Sequence, residues 1–562
     1  MRTRKLISLV LVAALSLSVV FFVPDLFSRE YVAAAAVDGD DWLHTSGGKI
    51  VDAQGREVRL TGINWFGYNT GTNIFDGCWS INMASGLKAI ADHGFNLLRI
   101  PISSELILSW KNGQYPQANY NSYTNPELNG KNSLQILDYA VAKCREYGIK
   151  IMFDIHSLDS NGGGHMYEYW YNGTYSEDKW IESLTWLTAH YNGNDTVLAI
   201  DLKNEPHGGA TWDGSSAQNN WRRAATRAGN AILDINPNLL IVIEGIESYN
   251  GQYAFWGANL MGVRSYPVDF GSADRNDQIV YSPHDYGPAV YQQPWFHGGS
   301  FSFNTLYNDY WHNMWLYIKE ENIAPILIGE WGGFMDGGAN QQWMNLEARL
   351  INRYGLSYTF WCFNANSGDT GGLVGYDFTT WDEAKYALVR PTLWQTSSGR
   401  FIGLDHQVAL GSNGVTVTGG AGSAVTSVSP QDITPVVTAD DRQYTMDFIE
   451  RLYVNMLGRS SDSAGKNYWY GRLANHSVNG LTLADGFYYS NEFIAMSASM
   501  SNEEFVRRMY NTILGREPDG VGLPYWIGKL DSGAMTREQV YRGFLYSPEW
   551  CSRCENNPLL RW

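Results

Sequence analysis

The sequence predicts an α/β protein, a (β/α)8 TIM barrel followed by a small all-α domain. Three observations carry this. From about Trp42 to Leu404, short β-rich runs alternate with amphipathic helical stretches, the pattern of parallel strands joined by crossover helices. Eight strand–helix units can be read in that stretch. Most of the strand candidates end in a polar or aromatic residue: Trp65, Arg99, His156, Asn204-Glu205, His284 with Tyr286, Glu330 and Trp361. In a barrel those ends converge on one face, where active sites are built.

The chain opens with Met1-Arg2-Thr3-Arg4-Lys5, an apolar stretch from Leu6 to Val23, and the run Ala33-Ala34-Ala35-Ala36. A basic start, an apolar middle and small residues after it predict a signal peptide over residues 1–36 and a secreted, extracellular or cell-surface protein. An uncleaved membrane anchor is the alternative, because the apolar stretch is long for a signal. The barrel is expected over residues 37–410. Its strand candidates are Arg59–Trp65, Asn96–Pro101, Lys150–His156, Val197–Glu205, Leu239–Gly245, Gln278–Tyr286, Pro325–Trp331 and Ser357–Asn364. Several are nearly continuous in Val, Ile, Leu and Phe, as strands buried on both faces should be. Helix candidates between them include Ser133–Tyr147 and Ala217–Leu233.

Residues 411–439 shift to Gly, Ser, Thr, Val and Pro and read as a short β-like tail and a linker. Residues 440–562 contain an internal repeat at a constant offset of 57 residues. It aligns Phe448-Ile449 with Phe505-Val506, Leu457-Gly458-Arg459 with Leu514-Gly515-Arg516, Tyr468-Trp469 with Tyr525-Trp526, and Phe487 with Phe544. The pattern within each unit is helical. The units resemble the DUF4214 type, a widespread repeat of extracellular bacterial proteins. A structural appendage and an attachment to a cell surface or protein partner are both open roles.

Composition narrows the class. The chain has 562 residues, 44% hydrophobic and 17% charged, a globular composition. Its formal charge of −17 disfavours nucleic acid, whereas a neutral polymer meets no such repulsion. Aromatic residues reach 14%, with 22 Trp and 35 Tyr, which suits either a large aromatic core or grooves lined with flat rings that pack on sugars. Five cysteines, Cys78, Cys144, Cys362, Cys551 and Cys554, are too few for a disulfide scaffold, and the single CxxC at Cys551 and Cys554 has no second pair to complete a zinc site. No metal-ligand cluster or phosphate-binding loop is read, so no metal and no cofactor are expected, and the chain is expected to act as a monomer.

Glycosidic bond cleavage requires one carboxyl to protonate the leaving oxygen and one carboxylate to meet the anomeric carbon. Two glutamates stand at strand ends in suitable settings: Glu205 in Leu202-Lys203-Asn204-Glu205-Pro206, and Glu330 in Ile328-Gly329-Glu330-Trp331-Gly332. The ordered set Gly62-Ile63-Asn64-Trp65-Phe66-Gly67, Asn96-Leu97-Leu98-Arg99-Ile100-Pro101, Asn204-Glu205-Pro206-His207, Ser248-Tyr249-Asn250, His284-Asp285-Tyr286, Gly329-Glu330-Trp331-Gly332 and Asn366-Ser367-Gly368-Asp369-Thr370-Gly371-Gly372 resembles the family 5 glycoside hydrolases, specifically bacterial endoglucanases of the cellulase type.

That resemblance implies a retaining endo-β-1,4-glucanase acting on cellulose and related β-glucans. It makes Glu205 the general acid/base and Glu330 the nucleophile, with Arg99 and Tyr286 stabilising Glu330. It assigns Asn204 to the sugar 2-hydroxyl, His156 to another sugar hydroxyl and His284 to orienting Glu205. Trp361 becomes the platform under the reacting sugar, followed by a cis peptide. Trp79, Trp256 and Trp65 are candidates for outer sugar subsites or the pocket wall, with core packing the alternative for each, and Trp79 and Trp256 match substrate-stacking rings of close relatives. Glu205 is expected to have a raised pKa, partly from the negative charge nearby. The third strand, Phe153-Asp154-Ile155-His156-Ser157, lacks arginines usual in relatives, and Lys203 and Trp331 also depart from the family pattern. The same mechanism on mannan, xylan or mixed-linkage glucan is the nearest alternative. A non-catalytic glycan-binding surface protein is the alternative of another class.

Overall fold

In the computed structural model the described residues are 40–299, 301–420, 439–474, 478–545, 547, 549–550, 553–554 and 557–560. The expected signal peptide, most of the expected linker, and Cys551 lie outside them. All eight expected strands are present: β1 Thr61–Asn64, β2 Leu97–Ser103, β3 Lys150–Ser157, β4 Val197–Asp201, β5 Leu240–Glu244, β6 Ile279–Ser282, β7 Leu327–Trp331 and β8 Ser357–Phe360. They are parallel, in the order β6-β5-β4-β3-β2-β1-β8-β7. Parallel bridges Tyr281↔Ile326 and His284↔Glu330 join β6 to β7 and close the barrel.

Two strands stop short of their expected ends. β4 ends at Asp201, because beyond it the Leu202 carbonyl accepts from Trp180 Nε1 at 2.9 Å and the chain turns at Glu205, whose φ is 51°. β6 ends at Ser282, before Pro283, which has no N–H to donate. The helix expected over Ala217–Leu233 begins at Trp221, where the Asn220 side chain caps it. Helix Ser133–Glu146 starts with a capping box between Asn132 and Gln135.

Strand alternation explains how a polar site comes to sit on an apolar barrel. Inward-facing Leu97, Met152, Ala199, Val242 and Val280 form one buried interior cluster. Two residues further along the same strands, on the same face, stand Arg99, Asp154, Asp201, Glu244 and Ser282. The barrel interior is therefore an apolar layer capped by a charged one. Below, it is plugged by a three-stranded antiparallel sheet, Leu43–Ser46, Lys49–Asp52 and Glu57–Val58, which the sequence reading had not identified. Leu43, Ile50 and Val58 join the interior cluster with Trp394, Ile402, Leu404 and Val417. Residues 411–420 thus pack against the barrel base, with Ile402 bridged to Val415.

The C-terminal region has its own core, built from Phe448, Leu452, Phe487, Phe505, Met509, Phe544 and their neighbours. The repeat predicted from sequence recurs as contacts. Arg459–Glu492 and Arg516–Glu549 are equivalent ion pairs at 3.0 and 2.8 Å. Helices ending in the π-turns Leu452–Met456 and Tyr510–Leu514 precede the left-handed Gly458 and Gly515. The two units meet through Tyr488 and Tyr541, stacked at 3.7 Å.

Candidate active site

Arg99 is the hub of the charged layer and is fully buried. Its Nη1 donates to Glu330 Oε1 at 2.7 Å and to Asn64 Oδ1 at 3.0 Å. Its Nη2 reaches Asp201 at 2.9 Å, Asp154 at 3.1 Å, Asn204 Oδ1 at 3.2 Å and Glu244 at 3.3 Å. Four carboxyls around one guanidinium hold its proton far more tightly than usual despite burial. Burial in turn pushes Asp154 and Asp201 up to about 6 and Glu244 well above the carboxylate range, with Arg99 pulling the other way.

Glu330 ends β7, and its second oxygen accepts from the Tyr286 hydroxyl at 2.5 Å. Both oxygens are therefore held, one by a cation and one by a neutral donor. Glu205 faces it from the turn after β4. Its left-handed backbone, unusual for a non-glycine residue, precedes Pro206, which disfavours the helical alternative. The turn is clamped: the Glu205 N–H donates to Glu244 Oε2 at 2.7 Å, and the His207 ring contacts the Glu205 carbonyl at 2.7 Å.

His284 sits between the two acids. Its Nδ1 lies 2.9 Å from Glu205 Oε1 and 3.6 Å from Glu330 Oε2, and its Nε2 lies 3.1 Å from Glu244. Carboxyl oxygens of Glu205 and Glu330 and a ring nitrogen of His284 all fall within 4.8 Å of one another. Gly329 makes room: a Cβ there would stand 2.7 Å from His284 Nε2. Burial alone would discharge His284, but Glu244 and Glu330 raise its pKa well above the ordinary value.

Here the expectation for Glu205 is corrected. Burial raises its pKa, but the hydrogen bond and charge of His284 outweigh that and leave it below the ordinary value. The dominant neighbour is a cation, because the charge of Glu330 is already met by Arg99. His284 and Glu205 are hydrogen-bonded, and each pulls the other toward its charged form.

His156 is neutral, because burial pushes its pKa well down, and its Nδ1 bonds Asp154 at 2.6 Å. Its ring lies parallel to Trp361 at 5.5 Å, and Phe66 stacks on Trp361 at the same distance. Trp361 Nε1 donates to Ser367 Oγ at 3.1 Å, and the Trp361–Cys362 peptide is cis. Asn204 has its carbonyl oxygen fixed by Arg99, which leaves its amide nitrogen to serve a ligand.

The cellulase (glycosyl hydrolase family 5) model matches residues 51–367, which hold this entire cluster apart from the end of the loop behind Trp361. The chain belongs to glycosyl hydrolase family 5. The chain is 46% identical to endoglucanase G of Acetivibrio thermocellus over 504 residues, covering 80% of this chain and 88% of the relative. An endoglucanase of Paenibacillus polymyxa is 42% identical, over 65% of this chain and 90% of its own length. Among solved structures, a cellotetraose complex of an endocellulase from Pyrococcus horikoshii superposes with a TM-score of 0.57 at 32% identity, over 63% of this chain and 98% of that one. The model of a domain of unknown function (DUF4214) matches residues 441–497 and 484–554.

The barrel brings together Glu205, Glu330, Arg99, Asn204, His156, His284, Tyr286 and Trp361, all expected from sequence. Trp79 is 59% exposed and held by a 2.7 Å bond from its Nε1 to Asn119, an indole fixed in place with its ring open. Trp256 is half-buried and stacks on His207 at 3.9 Å, which ties this ring to the Glu205 turn. Trp65 is the exception. It is fully buried, donates to the Asp76 carbonyl at 2.9 Å and packs on Phe75 at 4.5 Å and Phe363 at 4.6 Å, so it is a core residue and no part of a subsite. Trp65→Ala should therefore cost about 3–5 kcal/mol of stability, measured by urea unfolding.

Asp154, Asp201, Glu244 and Asn64 are site residues that the sequence reading passed over. Their signal was available: an acid or amide inside a run of Val, Ile and Leu is improbable unless it has a buried partner. The residue before Asn204 is also notable. Lys203 is fully buried and donates to the Asn204 carbonyl, adding a third positive group to the layer.

Proposed function

We propose that this chain is a retaining endo-β-1,4-glucanase that hydrolyses internal bonds of cellulose and related β-glucans by double displacement. The observation that carries this reading is the approach of the Glu205 and Glu330 carboxyls within 4.8 Å. That matches the spacing of about 5–5.5 Å of retaining enzymes and leaves no room for the intervening water of an inverting one. In the first step a Glu330 oxygen bonds the anomeric carbon as the glycosidic C–O bond breaks. The leaving oxygen takes a proton from Glu205, which has drawn it from His284 across their 2.9 Å contact. In the second step water attacks the anomeric carbon, Glu205 takes its proton, and the bond to Glu330 breaks. Asn204 donates to the 2-hydroxyl, His156 holds a neighbouring hydroxyl, and Trp361 lies under the sugar.

The relatives' names support a glucan, and the exposed, anchored Trp79 suits a sugar ring bound further along the groove. Burying half an indole against a pyranose removes about 40 Å² from water, worth about 1 kcal/mol. Trp79→Ala should raise KM for cellotetraose about fivefold and leave stability within about 0.5 kcal/mol, the opposite signature to Trp65→Ala. Secretion fits a polymeric substrate, and the C-terminal repeats would serve attachment to a cell surface or protein partner. Reducing-sugar release from carboxymethylcellulose, mannan and xylan in parallel tests the substrate. The cellulosic polymer should be cleaved fastest, and faster cleavage of mannan or xylan overturns the glucan assignment.

A further inference from the structure

Asp285 stands between His284 and Tyr286 in sequence, but its side chain lies in the protein interior. Its backbone N–H donates to the Glu330 carbonyl at 2.9 Å, and its Oδ2 accepts from Trp311 Nε1 at 2.6 Å. Its carboxyl meets that of Glu347, from helix Ala339–Tyr354. Both residues are fully buried. Among the described residues no donor reaches either oxygen of Glu347, while Asp285 also meets the Tyr310 hydroxyl. The groups that face the pair are Trp311 and Tyr310, both from the π-helical segment Tyr307–Leu316, and the Tyr286 backbone. Among the described residues, the charged group acting on Glu347 is Asp285.

Two buried carboxylates with no cation between them cannot both be ionised at a tolerable cost. With no donor from elsewhere, a Glu347 oxygen is satisfied only by bonding Asp285 through a proton that one of the two acids carries. The backbone next to this pair carries both His284, which holds the acid proton, and Tyr286, which holds the nucleophile.

We propose that Asp285 and Glu347 form a proton-sharing carboxyl pair, a positioning device that keeps His284 and Tyr286 in register with Glu205 and Glu330 and that fails when its proton is lost on the alkaline side. The inference rests on the retaining reading given above. Burial pushes Asp285 up to about 8 and Glu347 well above its ordinary range. In the unfolded chain these acids release their protons near pH 4. Between about pH 4 and about pH 8 the folded state therefore binds more protons than the unfolded, and stability falls as pH rises through that window. Beyond it the pair holds two negative charges and its hydrogen bond is gone.

The test uses the full chain and dinitrophenyl cellobioside, whose leaving group departs without a proton, so that loss of the acid proton from the His284–Glu205 pair does not mask the effect. In Glu347→Gln an amide N–H replaces the shared proton and does not titrate. The parent kcat should fall about tenfold per pH unit above about pH 8. Glu347→Gln should keep at least a third of parent kcat at pH 6 and hold it at least one unit further into the alkaline range. Asp285→Asn provides the same exchange from the other side if Glu347→Gln does not fold. A purely structural contact would move the unfolding midpoint and leave the pH limb where it is. Folded variants with the parent's alkaline limb overturn the pair. The parent's retention of configuration is measured separately, so that result would leave the catalytic reading standing.

Discussion

Glu330→Gln is expected to lower kcat/KM on cellopentaose by at least about 10⁴-fold, about 5.5 kcal/mol of transition-state stabilisation. A carboxamide does not attack the anomeric carbon, so no glycosyl-enzyme forms and the first step has no substitute route. The fold should survive. The amide oxygen can still accept from Arg99, and its NH2 can donate to the Tyr286 hydroxyl, which exchanges roles without moving. The substitution also removes one negative charge from a layer in which five carboxyls, those of Asp154, Asp201, Glu205, Glu244 and Glu330, face only Arg99, Lys203 and a charged His284. The unfolding midpoint should therefore stay level or rise, and a large loss of stability would show that Glu330 is chiefly a structural ion-pair partner.

Glu205→Gln should behave differently on different substrates. On cellulose oligomers, whose leaving group is an alkoxide, loss of the general acid should cost about 10²–10⁴-fold in kcat. On dinitrophenyl cellobioside the first step should proceed, because departure needs no proton. The second step should then stall, since no base activates water, and a burst of dinitrophenol should be followed by slow turnover. Azide, a nucleophile that needs no base, should restore turnover of this variant and leave Glu330→Gln inactive. Equal losses on both substrates without a burst would remove Glu205 from the acid/base role. Stopped-flow absorbance of released dinitrophenol makes the comparison directly.

The role of His284 follows from charge rather than from proximity alone. A glutamate beside a bare carboxylate would hold its proton. The structure instead places the His284 ring 2.9 Å from Glu205, where the surrounding carboxyls raise its pKa, while Arg99 bonds Glu330 at 2.7 Å. Formation of the glycosyl ester neutralises Glu330 and weakens the pull that holds a proton on His284.

The barrel was legible because strands buried on both faces read as apolar runs, and the site because polar residues ended those runs. What could not be read lay in tertiary packing. Trp65 and Trp79 look alike in sequence, yet one is wedged between Phe75 and Phe363 and the other is exposed and held by a bond to Asn119. The base sheet was missed because its strands are only four, four and two residues long. Glu244 closes an apolar strand as Glu330 does, but only the fold reveals that its two oxygens serve Arg99 and the Glu205 backbone. The pKa direction of Glu205 is not legible in sequence, because it depends on how far each acid lies from Arg99 and His284. The 57-residue repeat, in contrast, was visible as an offset and reappears as paired ion contacts.

The central claim is that Glu205 and Glu330 act on one anomeric carbon from within a gap too narrow for an intervening water. Proton NMR of cellopentaose hydrolysis, recorded before mutarotation, tests it most directly. The new reducing ends should appear first as the β-anomer and only later drift toward the equilibrium mixture. Initial appearance of the α-anomer would mean single displacement by water and would contradict the account.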